Sequence, residues 1–484
     1  MKNFKFSSFL LVPLLAVLAA CGGGGGSSTP STPAVTLKSI AVTSAQPTTM
    51  VTNTTAQLTA TGTYSDGSTK ALTSAVWAIK SGATTVAQVS STGLVTAKGV
   101  GTESVTATDS SITGTIALSV IAPSPWTQVA AGGNQTIGLK TDGKLYSWGS
   151  NIRGQLGDGT STDRSAPVTV SGNSTLWKQV AVGDRFAVAI RTDGTLWAWG
   201  YNLNGQLGDG TQIDRLTPVQ IGTAKTWSFV SAGRAHVAAL QSVTSTGTTG
   251  SAGTTVSTLY TWGSNVNGQL GDGTTDEKRV PTKIGTANWL TVAAGDSHTV
   301  GIQSNNTLWG WGDTSFGQVG NGATSGNVVA PVQIGTATWL SVAAGSFHTL
   351  AISTDSALFA WGRGDSGQLG NNGNSLQPTP VPVSTAKNWA RIAGGLSHSV
   401  GVQNDGTLWG WGSNAEGQLT NGNTDSLFPV QIGDLKTWKT VAAGNAHTVA
   451  LRADSTLWTW GRNGNGQLGN GTVTNSATPV NVAY

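Results

Sequence analysis

Residues 361–370 read WGRGDSGQLG, and three motifs overlap within them. Gly362, Gly364 and Gly367 space a G-x-G-x-x-G, as in a phosphate-cradling turn. Gly364-Asp365-Ser366-Gly367 sets a serine as if it were a nucleophile, and Arg363-Gly364-Asp365 is an adhesion tripeptide. The same slot elsewhere in the chain reads GSNIRGQLG, GYNLNGQLG, GSNVNGQLG, GDTSFGQVG, GSNAEGQLG and GRNGNGQLG. The stretch is therefore one copy of a repeated loop. A phosphate turn requires a helix after it, and no helical periodicity follows. Ser366 lacks His and Asp partners arranged for acyl transfer, and its slot holds Arg, Asn, Phe or Glu in the other copies. Only the tripeptide Arg363, Gly364, Asp365 survives as a candidate, because such a loop is expected to be exposed.

The repeat extends outward from this loop. Trp-Gly recurs at Trp148, Trp199, Trp262, Trp311, Trp361, Trp411 and Trp460, so seven units of about fifty residues follow one another. Each opens on Trp, continues V-A-A-G-x-x-H-T-x-A-L, turns through T-D-G-T, and runs L-W-x-W-G, G-Q-L-G-D/N-G-T and P-V-x-I. In Leu196-Trp197-Ala198-Trp199 the pleat places both tryptophans on one face and Leu196 with small Ala198 on the other. Radially packed sheets need that pairing of an aromatic face with a small one. The prolines at 167, 218, 281, 331, 380, 429 and 479 are expected to open an edge strand. Four strands in each of seven units predict an all-β fold, a seven-bladed β-propeller over residues 126–484. The unit resembles the regulator of chromosome condensation repeat, through the VAAGxxHT and WGxNxxGQLG signatures.

Upstream, residues 35–121 run in short alternating segments such as LKSIAVTS, AQLTATGTYS and GTIALSVI, which predict a β-sandwich. The stretch resembles bacterial immunoglobulin-like domains of group 2, through Leu37–Val42, Val76-Trp77 and Val89–Ala97. The resemblance implies a surface spacer, with Trp77 as a core residue. Before it, residues 21–34 include GGGGGSSTPSTP and read as a tether. Residues 1–20 read as an export signal, with Lys2 and Lys5 ahead of FLLVPLLAVLAA. Leu18-Ala19-Ala20-Cys21 resembles a bacterial lipobox, and Cys21 is the single cysteine of the chain, which implies lipidation there and an exported, envelope-anchored protein.

Charged residues make up 10% of the chain and the net charge is +4, with no basic run, so no nucleic-acid footprint is expected. The aspartates of the GDGT loops, Asp158, Asp209 and Asp272, give way to Asn321, Asn371, Asn421 and Asn470. A cation site would lose its charge in that exchange, so a turn that accepts either residue in a left-handed conformation is the expectation. His236, His298, His348, His398 and His447 share one register and are expected to bond between blades. No catalytic group, metal site or cofactor is expected, and the chain reads as a monomeric binding module. The repeat family implies nucleotide exchange on a small GTPase, chromatin docking or β-lactamase inhibition, through loops at one end of the ring. The candidate partner-binding residues are the variable ones of the Gly-x-x-His loops: Asn134, Asp184, Arg185, Arg234, Asp296, Phe347, Leu396 and Asn445. A surface adhesin or structural envelope component is the alternative. Whether the last strand, from Pro479, completes the blade of Trp460 or clasps that of Trp126 is open at this level.

Overall fold

A computed structural model of the chain describes residues 34–44, 48–52, 54–121, 125–172, 176–245, 254–420, 422 and 424–482. Residues 1–33, on which the expected export signal, the Cys21 lipidation site and nearly all of the expected tether fall, lie outside them. The chain divides into two compact units, Met1–Ala122 and Pro123–Tyr484. Among the described residues every regular element is a strand.

In the first unit two sheets enclose one core. Leu37–Ser44, Thr55–Tyr64, Leu94–Ala97 and Ala87–Val89 lie side by side in that order, and Thr69–Ala71 adds to Thr55–Tyr64. The second sheet runs Thr49–Val51, Ile112–Ile121, Gly101–Asp109, Val76–Ile79. Alternation drives the packing: Ala56, Leu58 and Val95 of one sheet meet Val105, Leu118 and Val120 of the other, and half-buried Trp77 packs against them.

The second unit is the ring. Blade 2 shows the plan, with Trp177–Val182, Phe186–Arg191, Leu196–Gly200 and Arg215–Gln220 paired antiparallel in chain order. The opening strands of all seven blades line a central channel with residues as small as Ala130, Ala181 and Ala343, as strands converging on an axis require. The two faces of the third strand separate as the pleat dictates. Trp199 packs against Ile137, Leu139 and Leu145 of blade 1, while Leu196 and Ala198 pack against Trp227 and Trp262 of blade 3. Blades 4 and 5 share one uninterrupted strand, Asn327–Ala344, which is the outer edge of one and the inner edge of the next.

Three sequence expectations are refined. The prolines do not open the outer strand. Pro167 is the fourth residue of Arg164–Thr169 and lies where the register shifts between Arg164 and Val168, so its missing N–H costs no ladder bond. The Asp/Asn of the GDGT loop is not the left-handed residue either; the glycines beside it are, with Asn372 at φ 62° and Thr420 at φ 62° replacing them in blades 5 and 6. One of these glycines, Gly157 at φ +68°, lies where a Cβ would stand 2.7 Å from the indole nitrogen of Trp199. The question of phase is also settled. Ser476–Asn481 pairs with Leu457–Gly461 of its own blade, and the ring closes by face packing, with Trp126 and Trp148 of blade 1 on Val449, Leu451, Leu457 and Val482 of blade 7.

The five histidines bond across blade junctions, each from Nε2 to a hydroxyl of the following blade. His236 reaches Thr299 at 2.9 Å, His298 Thr349 at 3.0 Å, His348 Ser399 at 2.8 Å, His398 Thr448 at 3.2 Å and His447 Thr136 at 3.0 Å. Each hydroxyl spends its own proton on a glutamine carbonyl of the GQLG loop, as Thr299 does on Gln269 at 2.8 Å. The ring must therefore donate from Nε2, and because Nδ1 is buried with no acceptor for a second proton, the imidazole is neutral. Nδ1 of His236 lies against Gly233, where a Cβ would come within 2.7 Å. Burial pushes these imidazoles down, to about 4 for His398 and about 3 for the other four. The two junctions without histidine also lack the hydroxyl: Gln135 precedes Ala187, and Phe186 precedes Val237, which packs in the same apolar cluster.

Candidate functional site at the Gly-x-x-His end

The strands alternate direction, so the Gly-x-x-His and GQLG loops emerge together at one end of the ring. Their backbones are fixed. The second variable residue of each Gly-x-x-His loop accepts a hydrogen bond through its carbonyl, as Arg185 does from Tyr201 N and Phe347 from Arg363 N, both at 2.9 Å. The first variable residue donates to the neighbouring blade: Arg234 N to Gly295 O at 3.3 Å, Asp296 N to Ser346 O at 3.2 Å and Asn445 N to Gly133 O at 2.9 Å. Side chains thus vary on a backbone that does not.

This alternation sorts the candidate residues. Asp184, Arg234, Asp296 and Asn445, all first positions, surround the mouth of the channel. Arg185 joins Asp184, Arg234, Asp296 and Tyr201 in a groove over blades 2 to 4. The Asp296 carboxyl is pushed up by burial and by the Asp184 charge, against the opposing pull of Ser346 and Arg234. Asp184 meets Arg185 at 3.4 Å, an exposed pair that adds little stability.

Phe347 lies elsewhere, in a cluster of its own. Its ring is 5.4 Å from Phe316, and the Arg363 guanidinium covers both at 5.3 Å from Phe316 and 5.8 Å from Phe347. Leu396 is 38% exposed and its amide bonds to Asn445 O, while Asn134 is half-buried with its Oδ1 sealed inside. The face is therefore divided, with charge over blades 2 to 4 and apolar groups over blades 4 to 6.

The adhesion tripeptide sits in the apolar half, closed on itself. Arg363 Nε and Nη2 donate to Asp365 Oδ2 at 2.8 and 2.7 Å. The two charges a receptor would read are each other's partners. Sequence reading missed Phe316 and Tyr201 as part of the face and took Arg363 only as part of the tripeptide, although the variability of these positions between Trp-Gly and the G-Q-L/V-G letters was the available signal.

The GDGT aspartates are fully engaged. Asp209 Oδ1 accepts from Thr211 N, Thr211 Oγ1 and Asn202 Nδ2 at 2.9, 2.7 and 3.0 Å, and Oδ2 takes Arg215 Nε and Nη2 at 2.9 and 2.7 Å. Asp158 pairs with Arg164 and Asp272 with Lys278 in the same way. Where Asn replaces Asp, the residue six later is neutral, as in Asn321 with Asn327, Asn371 with Gln377 and Asn470 with Ser476. The Asp-to-Asn exchange thus tracks an ion-pair partner within the loop.

Residues 142–190 and 193–240 match the regulator of chromosome condensation (RCC1) repeat, and a second profile of that repeat matches 126–155 and 177–206. Residues 246–484 match the RCC1-like domain. The propeller is built of RCC1 repeats. The ultraviolet-B receptor UVR8 of Arabidopsis thaliana is 31% identical over 38% of this chain and 40% of its own length. The probable E3 ubiquitin-protein ligase HERC6 of Homo sapiens is 34% identical over 36% of this chain and 16% of its own. The chain thus spans less than half the length of these curated relatives.

Among solved structures, human WBSCR16 superposes with TM-score 0.61 at 21% identity, over 70% of this chain and 94% of that one. Prp20p of Saccharomyces cerevisiae, described with its binding properties to Gsp1p and histones, gives 0.58 at 24%, over 68% and 84%. Yeast RCC1 (Prp20) bound to Kap60 gives 0.61 at 19%, over 73% and 85%. These likenesses establish the fold of the RCC1-repeat ring.

Proposed function

We propose that this chain is an envelope-anchored protein-binding module that captures a protein partner on the Gly-x-x-His end of its RCC1-repeat propeller, without catalysis. The reading is carried by one observation: Asp184, Arg185, Arg234 and Asp296 on one side, and Phe347 with Phe316 and Arg363 on the other, stand on loops held by backbone hydrogen bonds such as Arg234 N to Gly295 O, Asp296 N to Ser346 O, and Arg363 N to Phe347 O. Pre-ordered loops carrying Arg and aromatic side chains suit a protein contact, because little conformational entropy is lost on docking. The protein partners in the descriptions of the yeast relatives point the same way. The immunoglobulin-like reading of residues 35–121 gives that unit the part of a spacer above a lipidated Cys21. The self-pairing of Arg363 and Asp365 weighs against an adhesin that works through that tripeptide.

Capture from envelope extracts by the purified propeller tests the face. Asp184→Ala, Arg185→Ala, Asp296→Ala and Phe347→Ala are expected to leave the melting temperature nearly unchanged, with one or two of them weakening capture by about 2 kcal/mol. Loss of capture only on changing the 242–256 insertion, whose flanks Ser242–Thr244 and Thr255–Ser257 pair away from the Gly-x-x-His end, would overturn the assignment. The anchor has its own test. A fatty-acid probe is expected to label the wild type and leave Cys21→Ser unlabelled, and equal labelling of both would refute lipidation at Cys21.

A further inference from the structure

The residue paired with each blade-opening tryptophan shows what the outer groove of a blade accepts. In blade 2 it is Arg191, whose guanidinium carbon lies 4.7 Å from the Trp177 centroid and 3.6 Å from that of Trp197. In blade 7 it is Arg452, at 4.7 Å from Trp438 and 3.9 Å from Trp458. In blade 1 it is Lys140, at 4.6 Å from Trp126 and 4.8 Å from Tyr146. Two residues after each cation stands an aspartate, Asp193, Asp454 or Asp142, whose charge acts on it. Aromatic pair, cation and carboxylate thus recur together in three blades.

Blade 5 keeps two of the three. Trp339 and Phe359 stand edge to face at 5.2 Å, and Asp355 occupies the aspartate position, but the paired residue is Ser353. A cavity lies there, lined by Trp339, Phe359, Ser353, Asp355, Thr338 and Thr354 among others. The Asp355 carboxyl is held at about 2 by hydrogen bonds from Lys387 and Ser353, so it is charged throughout the neutral range. Lys387 does not take the place of the missing cation, because it meets Asp355 Oδ2 from an exposed position, 64% accessible, as Lys436 meets Asp405 one blade on. Neighbouring blades lack the combination. Blade 4 has Gln303 beside Trp289 and Trp309 with Asn305 in place of the aspartate, and in blade 6 the Gln403 side chain is bonded to Asn388 at 2.9 Å.

We propose that the groove of blade 5, between Trp339, Phe359 and Asp355, is a binding site for a guanidinium group on an alkyl stem, supplied from outside the chain. The aromatic faces attract the cation, the Asp355 carboxylate is shared between it and Lys387, whose contact is exposed, and the short Ser353 side chain leaves the volume that Arg191 and Arg452 fill from within their own blades. This site is independent of the partner face at the Gly-x-x-His end.

The test is titration of the full chain with butylguanidinium chloride, followed by tryptophan fluorescence and by the indole NMR signal of Trp339. Butylurea at matched ionic strength is the neutral control, and a capped Gly-Arg-Gly peptide separates a free alkylguanidine from an arginine side chain of a partner. Saturable binding of butylguanidinium in the range of roughly 1–10 mM is expected, as for a single small cation contact, with none for butylurea. Equal or tighter binding of the peptide would assign the source to a protein side chain, and weaker binding to a free small molecule. Ser353→Arg, which recreates the arrangement of blade 2, is expected to abolish binding while melting no lower than wild type. Asp355→Asn and Phe359→Leu are each expected to weaken it at least fivefold. Equal binding of butylurea, undiminished binding in Ser353→Arg, or no saturation at all would overturn the proposal.

Discussion

Lowering the pH from 7.5 to 4.5 is expected to remove most of the stability of the propeller, and the histidine latches are the reason. Each imidazole is neutral in the folded ring, with its protonation held down to about 3, or about 4 for His398, while in the unfolded chain it protonates near 6.5, the ordinary value for histidine. Below pH 6.5 the unfolded state therefore binds more protons than the folded one, and stability falls as the pH falls. The loss runs from about 6.5 down to the folded values and is absent above that window. At pH 4.5 each latch forfeits about 2–3 kcal/mol, at about 1.4 kcal/mol per pH unit, and five latches together on the order of 10 kcal/mol. That rivals the whole stability of a typical domain. Thermal melts across this range check it, with a control that copies the histidine-free junction between blades 2 and 3. His398→Phe with Thr448→Val should shrink the pH dependence by about one fifth, as one of five equal latches. A melting temperature that is flat from pH 7.5 to 4.5 would show that the imidazoles are not the acid-labile groups.

Removal of residues 479–484 is expected to open the ring. Val480 and Asn481 pair with Thr459 and Trp458, and Val482, 3% exposed, sits in the core that joins blade 7 to Trp126 and Trp148 of blade 1. The deletion uncovers an edge of the blade and one wall of the closing junction at once. Losing a large buried side chain alone costs about 2–5 kcal/mol, and ladder bonds are lost with it. The melting temperature should fall by many degrees and aggregation should rise, whereas deletion of residues 22–33 should change neither. A truncated chain that melts like the intact one would mean that the inter-blade bonds, such as Trp148 Nε1 to Gln467 O at 3.0 Å and Gly471 N to Ser165 O at 2.8 Å, suffice to hold the ring shut.

The period of the tryptophans made the blades legible, and the pleat of Leu196–Trp199 made both blade faces legible, because each rests on spacing along one strand. What the letters did not carry was pairing across the ring. A last strand completing its own blade and one clasping the first blade leave the same repeat in the sequence, so only the observed ladder between Ser476–Asn481 and Leu457–Gly461 separates them. The proline position failed for a related reason, since the register shift that accommodates Pro167 is a property of two strands. The latches were within reach. A hydroxyl follows the histidine register only where the preceding unit holds histidine, a correlation visible once neighbouring units are compared. The division of the loop face was not visible, because which of two adjacent residues turns to the channel mouth depends on where its amide finds a carbonyl.

Closure of the first blade against the seventh, by face packing and by inter-blade hydrogen bonds, also sets an order in time. A chain made from its N-terminus finishes blade 1 before the other blades, yet the covering for the Trp126 and Trp148 face comes from blade 7, the last blade of the ring to be made. That aromatic surface, packed only within its own blade, must wait through the making of six further blades for the surface that covers it. Every other junction can zip to a neighbour already in place, so the first sheet to form is the last to be sheltered, and the interval is when the nascent ring is most open to adhering to something else.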